Sequence, residues 1–162
     1  TPGACKLGVM ATVHERAGSI GIVSRSASLT SEIVAQTSAA GMGQSTTVGI
    51  GGDPVHGIGF VETLEFFMAD PDTAGIILIG EIGGTEEERA AEYLEDNKDA
   101  KPVVVLVAGR HAPPERRMGH AGTLTVFGRA DANQKIKALR SAGAHIAPNT
   151  QLVAETMQQA LD

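Results

Sequence analysis

The sequence predicts an α/β fold in which one five-stranded parallel sheet lies between two layers of helices. Short apolar runs alternate with stretches of helical periodicity, and this cycle occurs five times in a chain of 162 residues. The apolar runs are continuous, which is typical of strands covered on both faces. The length fits one ordinary domain, which can bury roughly 70% of the surface that its unfolded chain exposes.

Turn residues and glycines bound the first two strand and helix units. The apolar run at 19–24 is predicted as a strand, and the helix behind it ends at Gly41, since glycine is common just past a helix end. The second strand is predicted at 46–50, and its helix ends at Asp70 because a proline follows. One face of this second helix is formed by Phe60, Val61, Leu64, Phe67 and Met68.

The later units follow the same alternation of strand and helix. Strands are predicted at 75–80 and 103–109, and then a helix at 132–142, a short strand at 144–147 and a last helix from 149 or 150. The helix between the two longer strands is predicted from the apolar face of Ala90, Ala91, Tyr93 and Leu94.

The expected strand order brings three segments into one crevice. Five such strands most often take the order 2-1-3-4-5, with ligands bound beyond the carboxyl ends where the winding reverses. Strands 1, 3 and 4 are then neighbours, with ends within about 10 Å of one another. The connection at 110–131 is far longer than usual and can reach back over them. The crevice is therefore expected to hold SRSAS at 24–28, GEIGG at 80–84 and RRMGHAG at 116–122.

Composition excludes several classes of function. The formal net charge of −6 and scattered basic residues disfavour a nucleic-acid partner. The chain has four Phe, one Tyr and no Trp, so few aromatic rings are available to stack on bases or flavins. One cysteine rules out an internal disulfide, and the longest apolar runs, of about eight residues, are too short to span a membrane.

Two segments of the crevice have both a structural and a functional interpretation. Ser26 or Ser28 can cap the first helix, while the free amides at a helix start can also hold an anion. Glu81 directly follows a buried strand, and one interpretation is an acid that the dipole of the next helix favours. Because acids at 86–88 already serve that purpose, Glu81 is better explained as the partner of another group.

His120 is the histidine most suited to chemistry. It is flanked by Gly119 and Ala121, so the ring is sterically accessible. It is either an exposed loop residue or a nucleophile, because one imidazole nitrogen can attack if the other donates its hydrogen to a carboxylate such as Glu81. No HxH or HxxxH pair supports a metal site. Structural or solvent roles are expected for His14, His56, His111 and His145.

The strings GIVSRSASLTSE, VGIGGDP, DPDTAGIILIGEIGG and APPERRMGHAG resemble, in the same order, the carboxy-terminal ligase domain of the succinyl-CoA synthetase α subunit. The resemblance extends over essentially the whole chain. It implies a flavodoxin-like fold, with His120 as the phosphorylated residue and Glu81 as the carboxylate that orients it. It also implies that Ser26, Ala27 and Ser28 open one of two helices that cradle the phosphate, the other belonging to the β subunit.

The resemblance also implies a reaction and its partners. A nucleoside triphosphate phosphorylates His120, the phosphoryl group passes to a carboxylate such as succinate, and CoA displaces phosphate from the acyl phosphate. ATP or GTP and Mg²⁺ are expected on the β subunit, and CoA mainly on an amino-terminal domain. Residues 1–17 would then be the linker from that domain and 18–162 the ligase domain, in a cytoplasmic or mitochondrial matrix enzyme.

Three alternatives remain at this point. The chain could belong to a relative that acts on malate or cleaves citrate. It could be a flavodoxin or receiver-type module, although the scarcity of Tyr and Trp disfavours a flavin site and no acidic residues stand at the end of strand 1, as a receiver would need. It could also be an interaction domain that is inert without its partners.

Overall fold

A computed structural model describes residues 1–53, 55–97, 100–112, 119–120, 123 and 131–162. The sheet has five parallel strands in the order β2-β1-β3-β4-β5, which confirms the predicted fold. The strands are β1 (Ala17–Ser24), β2 (Gln44–Gly49), β3 (Gly75–Glu81), β4 (Val103–Ala108) and β5 (His145–Ile146). The α-helices of the described ranges are α1 (Ala27–Ala39), α2 (Phe60–Ala69), α3 (Glu86–Asp96), α4 (Ala132–Ser141) and α5 (Val153–Leu161).

Two separate apolar cores lie on the two faces of the sheet. In β3, Ile76 and Leu78 join the core under α2, α3 and α4, while Ile77 and Ile79 join the core under α1 and α5. All four side chains are fully buried. This is why β3 is a continuous apolar run: successive side chains point to opposite faces, and each face is covered by helices.

Buried polar groups account for the clearest shift in an element boundary. The second strand begins at Gln44, two residues before the predicted start. Gln44 is buried, and its amide donates to Thr37 Oγ1 at 2.8 Å and to Ser38 Oγ at 3.0 Å. Because its side-chain amide is hydrogen-bonded inside the protein, Gln44 extends the strand at a position where a polar residue predicts a loop.

The carboxy-terminal elements are short. The last strand has two residues, and α5 is preceded by a 3₁₀ turn at Thr150–Leu152, which Asn149 caps by accepting from Leu152 N at 3.2 Å. The division between a linker at 1–17 and a domain at 18–162 stays a prediction. In the described residues, no helix combines the length and apolar character needed to cross a membrane.

The register of the central strands aligns the ends that carry the predicted site. In the parallel ladders Ser24 pairs with Ile79, and Glu81 pairs with Ala108. The first residues of the connections after β1, β3 and β4 therefore emerge at one edge of the sheet, as the strand order predicts. Of the long connection after β4, residues 113–118, 121–122 and 124–130 lie outside the described residues, and so does most of RRMGHAG.

Candidate active site

His120 and Glu81 are in direct contact. His120 Nδ1 lies 2.9 Å and 3.0 Å from the two carboxylate oxygens of Glu81. The Glu81 side chain is 8% exposed and that of His120 is 48% exposed, so a buried carboxylate holds a half-exposed ring. With Nδ1–H donating to Glu81, the lone pair of the ring lies on Nε2, the nitrogen with nucleophilic capacity.

The position of Glu81 corrects one detail of the sequence interpretation. Glu81 is the last residue of β3 and does not follow the strand. Its N–H donates to Glu87 Oε1 at 3.0 Å, and it pairs in register with Ala108. A strand residue has a fixed backbone direction, which holds the carboxylate more firmly than a loop residue would.

Gly52 forms the surface against which the His120 ring lies. A Cβ atom on Gly52 would be 2.0 Å from Cε1, 2.5 Å from Nδ1 and 3.0 Å from Nε2 of His120. These distances are well inside van der Waals contact, so a side chain at this position is incompatible with the observed ring position. Gly52 was not among the predicted site residues, although the glycine pair in VGIGGDP marks a place where another group can approach the backbone.

Arg25 connects the two groups that touch His120. Its side chain is 6% exposed, and its Nε lies 3.3 Å from Glu81 Oε1. Its Nη2 donates to the Gly52 carbonyl at 3.3 Å, and its Nη1 lies 3.5 Å from Glu87 Oε1. Sequence reasoning missed Arg25, although a charged residue directly after a buried strand was a usable signal.

Glu87 and Lys135 continue this chain of charges into the protein interior. Both are 0% exposed, and Lys135 Nζ forms a close ion pair with Glu87 Oε2. Lys135 Nζ also lies 3.1 Å from Glu88 Oε2 and donates to the Gly84 carbonyl at 3.2 Å. Two buried cations, Arg25 and Lys135, therefore balance the two buried carboxylates Glu81 and Glu87, as burial of charge requires.

The three acids at the start of α3 have different roles, which corrects the interpretation that all of them serve the helix dipole. Glu86 pairs with Arg89 at 3.0 Å on the surface. Glu87 is fully buried, and Gly80 makes room for it, since a Cβ on Gly80 would lie 2.7 Å from Glu87 Cγ. Glu87 therefore belongs to the site. The sequence does not distinguish it from the acids on either side of it.

Ser26 caps α1, which confirms one of the two interpretations of the first segment. Its Oγ accepts from Leu29 N at 3.4 Å and lies 3.4 Å from Ser28 Oγ. Ala27 is the first helical residue, and α1 has no acidic residue in its first turn. The segment follows Arg25 directly, so it opens at the same sheet edge as Glu81. Its role as a phosphate cradle stays a prediction.

The other histidines occupy different positions in the fold. His56 Nε2 is 3.6 Å from Glu86 Oε2, His111 lies in the turn after β4, His145 begins β5, and His14 precedes β1. Among the side chains that the structure describes, no group of three or more His, Cys, Asp or Glu residues is arranged to hold a metal ion.

Comparison with known proteins gives consistent results. Residues 23–145 match the model of the CoA-ligase family. The chain is 50% identical over 161 residues to the α subunit of ADP-forming succinate–CoA ligase from Aquifex aeolicus, and also 50% identical to that from Methanothermobacter thermautotrophicus. These alignments cover 99% of this chain but 52% and 54% of the relatives, so the chain spans about half of their length.

Solved structures show a related fold. ATP citrate lyase from Methanosaeta concilii, in complex with (3S)-citryl-CoA, matches with a TM-score of 0.82 and 29% identity over 91% of this chain and 24% of that chain. The dinucleotide-forming acetyl-coenzyme A synthetase 1 of Ca. Korarchaeum cryptofilum matches with a TM-score of 0.69 over 85% of this chain and 29% of that chain. At 21% identity, the second match indicates a shared fold.

Proposed function

Because the chain belongs to the CoA-ligase family, we propose that it carries the phosphorylated histidine of an acid–thiol ligase that converts succinate, CoA and a nucleoside triphosphate into succinyl-CoA. The observation that carries the proposal is the 2.9 Å contact between His120 Nδ1 and the buried carboxylate of Glu81. In this proposal His120 is the nucleophile and Glu81 orients it. Residues 18–162 are the ligase domain, and 1–17 link it to a CoA-binding domain in a longer chain.

In the first step, the lone pair of His120 Nε2 attacks the γ-phosphorus of the nucleotide, and the bond from that phosphorus to the β-phosphate oxygen breaks. The ring then carries a positive charge, which the Glu81 carboxylate stabilises through the Nδ1–H hydrogen bond. A succinate oxygen next attacks the phosphorus, the N–P bond breaks, and neutral imidazole returns. The CoA thiolate finally attacks the acyl carbon, the bond from that carbon to the phosphate oxygen breaks, and phosphate leaves.

The start of α1 is the proposed place for the transferred phosphoryl group. Helix starts present N–H groups without intrahelical partners, and these can hold a phosphate without a mobile cation. Ser26, Ala27 and Ser28 supply that start in this chain, directly after the Arg25 that contacts Glu81. The absence of an acid from the first turn of α1 supports this part of the proposal, because a carboxylate there would repel the phosphate.

The proposal includes a β subunit, since the relatives at 50% identity are named as α subunits. The nucleotide, ATP or GTP, and Mg²⁺ are assigned to that partner, and CoA mainly to the preceding domain. Mg²⁺ would neutralise charge on the nucleotide phosphates. The residues described in this chain contribute the histidine, its carboxylate and the helix start.

A citrate-cleaving function is the second candidate, because an ATP citrate lyase matches with a TM-score of 0.82. Succinate is preferred as the acid because that match is 29% identical, whereas the succinate–CoA ligase subunits are 50% identical. A malate-specific ligase would use the same histidine. Thioester formation by the assembled enzyme with each acid in turn distinguishes the three.

Phosphate labelling tests the proposal. The full α chain, prepared with its β partner, should incorporate label from the γ-phosphate of ATP or GTP into a product that is labile to acid and stable to base. His120→Asn should abolish this labelling, while His145→Asn, which changes a histidine on β5, should leave it unchanged. Equal labelling of the His120 variant and the parent protein would show that another residue accepts the phosphate.

A further inference from the structure

We infer that Arg25 is a positioning residue for phosphoryl transfer, because its buried guanidinium fixes both of the groups that hold the His120 ring. The inference rests on the proposed function and extends it to a residue that does not itself touch the ring. Arg25 is the first residue after β1, and it acts on His120 through Glu81 and Gly52.

The geometry joins the two sides of the histidine through one group. Arg25 Nε lies 3.3 Å from the Glu81 carboxylate, which accepts from His120 Nδ1. Arg25 Nη2 donates at 3.3 Å to the carbonyl of Gly52, whose backbone faces the His120 ring. A displacement of the guanidinium would therefore free two groups at once: the Glu81 carboxylate that accepts from the ring, and the Gly52 backbone against which the ring lies.

Because Glu81 is buried, its negative charge needs the positive charge of Arg25 beside it. Glu81 is 6% exposed, and an unpaired carboxylate with so little access to water is costly. A neutral His120 ring, the form that attacks phosphorus, supplies no positive charge to Glu81. Arg25 places a positive charge beside Glu81 both before and after the ring gains its own.

Arg25 is itself held at its far end. Its Nη1 lies 3.5 Å from Glu87 Oε1, the same oxygen that accepts from Glu81 N at 3.0 Å. Glu87 is in turn paired with the fully buried Lys135. A planar guanidinium with five donors can satisfy three acceptors in fixed directions, whereas the ammonium of lysine cannot reproduce that arrangement.

The test measures the rate and the site of phosphorylation in one turnover of the α and β complex with labelled nucleotide. In the parent protein the label should be on Nε2 of His120, because Nδ1 donates to Glu81. Arg25→Gln should slow labelling about 100-fold, the effect of a displacement of about 1 Å. It should also place a measurable share of the label on Nδ1. Chromatography of the two phosphohistidine isomers after alkaline hydrolysis gives this ratio.

Two further variants separate positioning from a loss of structure. Arg25→Lys should recover part of the rate, and Arg89→Gln, which removes an exposed arginine paired with Glu86, should match the parent. The effects of Arg25→Gln and Glu81→Gln should be less than additive in the double variant, because part of the effect of Arg25 passes through Glu81.

The outcomes are distinct. No labelling of the parent protein refutes the proposed function and this inference with it. Normal labelling of the parent, together with an Arg25→Gln variant that is equally fast and labelled on Nε2 alone, overturns the inference and leaves the proposed function in place. Fully additive effects in the double variant overturn it as well. If Arg25→Gln does not form a folded complex, Arg25→Lys decides, and the parent rate and isomer in that variant overturn the inference.

Discussion

The substitution Gly52→Ala tests the site by adding one methyl group next to the histidine. The new Cβ would lie 2.0 Å from Cε1 and 2.5 Å from Nδ1 of His120. Carbon atoms pack at about 3.5–4.0 Å, so the ring must move by roughly 1.5 Å or more. Gly52 has no left-handed backbone angle, so the methyl group adds crowding against the ring without backbone strain.

This displacement predicts a loss of rate with little loss of stability. The His120 Nδ1 to Glu81 distance is 2.9 Å, and an increase of about 1.5 Å puts it beyond hydrogen-bond range. A shift of this size at a reacting group costs about 100-fold in rate. Because the His120 side chain is 48% exposed, it can move outward, and the free energy of unfolding should change by no more than about 1 kcal/mol.

The assay is the rate of phosphate labelling in one turnover, measured beside thermal unfolding. Gly57→Ala is the matched control, since it lies in the same loop and a Cβ there meets no atom within 4 Å. The control should label at the parent rate. A Gly52→Ala protein that labels as fast as the parent would refute the assigned position of the ring against Gly52.

Three other predictions concern the carboxylate, the buried lysine and an exposed turn. Glu81→Gln should slow phosphorylation by about 100-fold or more in a protein that still folds, and an unchanged single-turnover rate would make Glu81 purely structural. Lys135→Met should lower the free energy of unfolding in urea by about 3–5 kcal/mol, because it leaves a buried carboxylate without its partner; a change below about 1 kcal/mol would contradict this. The Thr73 hydroxyl and Asp72 N–H hold the pKa of Asp70 below its ordinary 3.8, so Asp70 stabilises the fold above that pH and loses this effect as the pH falls through the lowered pKa. Asp70→Asn should therefore destabilise at pH 7 and have little effect at pH 2 in urea unfolding, whereas an equal effect at both pH values would contradict the prediction.

The strands and their order could be predicted because they depend on patterns of apolar residues. Ile76 to Ile79 form an unbroken run whose side chains serve two cores, and a strand with one face in water would alternate apolar and polar residues instead. The proximity of His120 to Glu81 could be predicted as well. It follows from the sheet order and from a connection long enough to return to the ends of β3 and β4.

The charged groups beneath the histidine could not be predicted in the same way. A buried charge looks like an exposed one in sequence, and Glu87 lies between two other acids. Lys135 did leave a signal, because it shares a helix face with the buried Ala132, Ile136 and Leu139. A lysine on an apolar face needs a carboxylate partner, but the sequence does not say which of the 19 acidic residues supplies it.

The chain of charges from Lys135 to Glu81 sets a requirement for anyone who grafts this histidine onto another scaffold. The carboxylate is on β3 and the guanidinium follows β1. Glu87 on α3 holds the guanidinium, and Lys135 on α4 pairs with Glu87. A transplant of His120 and Glu81 alone would leave an ionised group without its counterions. The smallest portable unit is therefore two adjacent strands with two helices on one face, moved together with the glycine loop after β2 and the segment that carries His120.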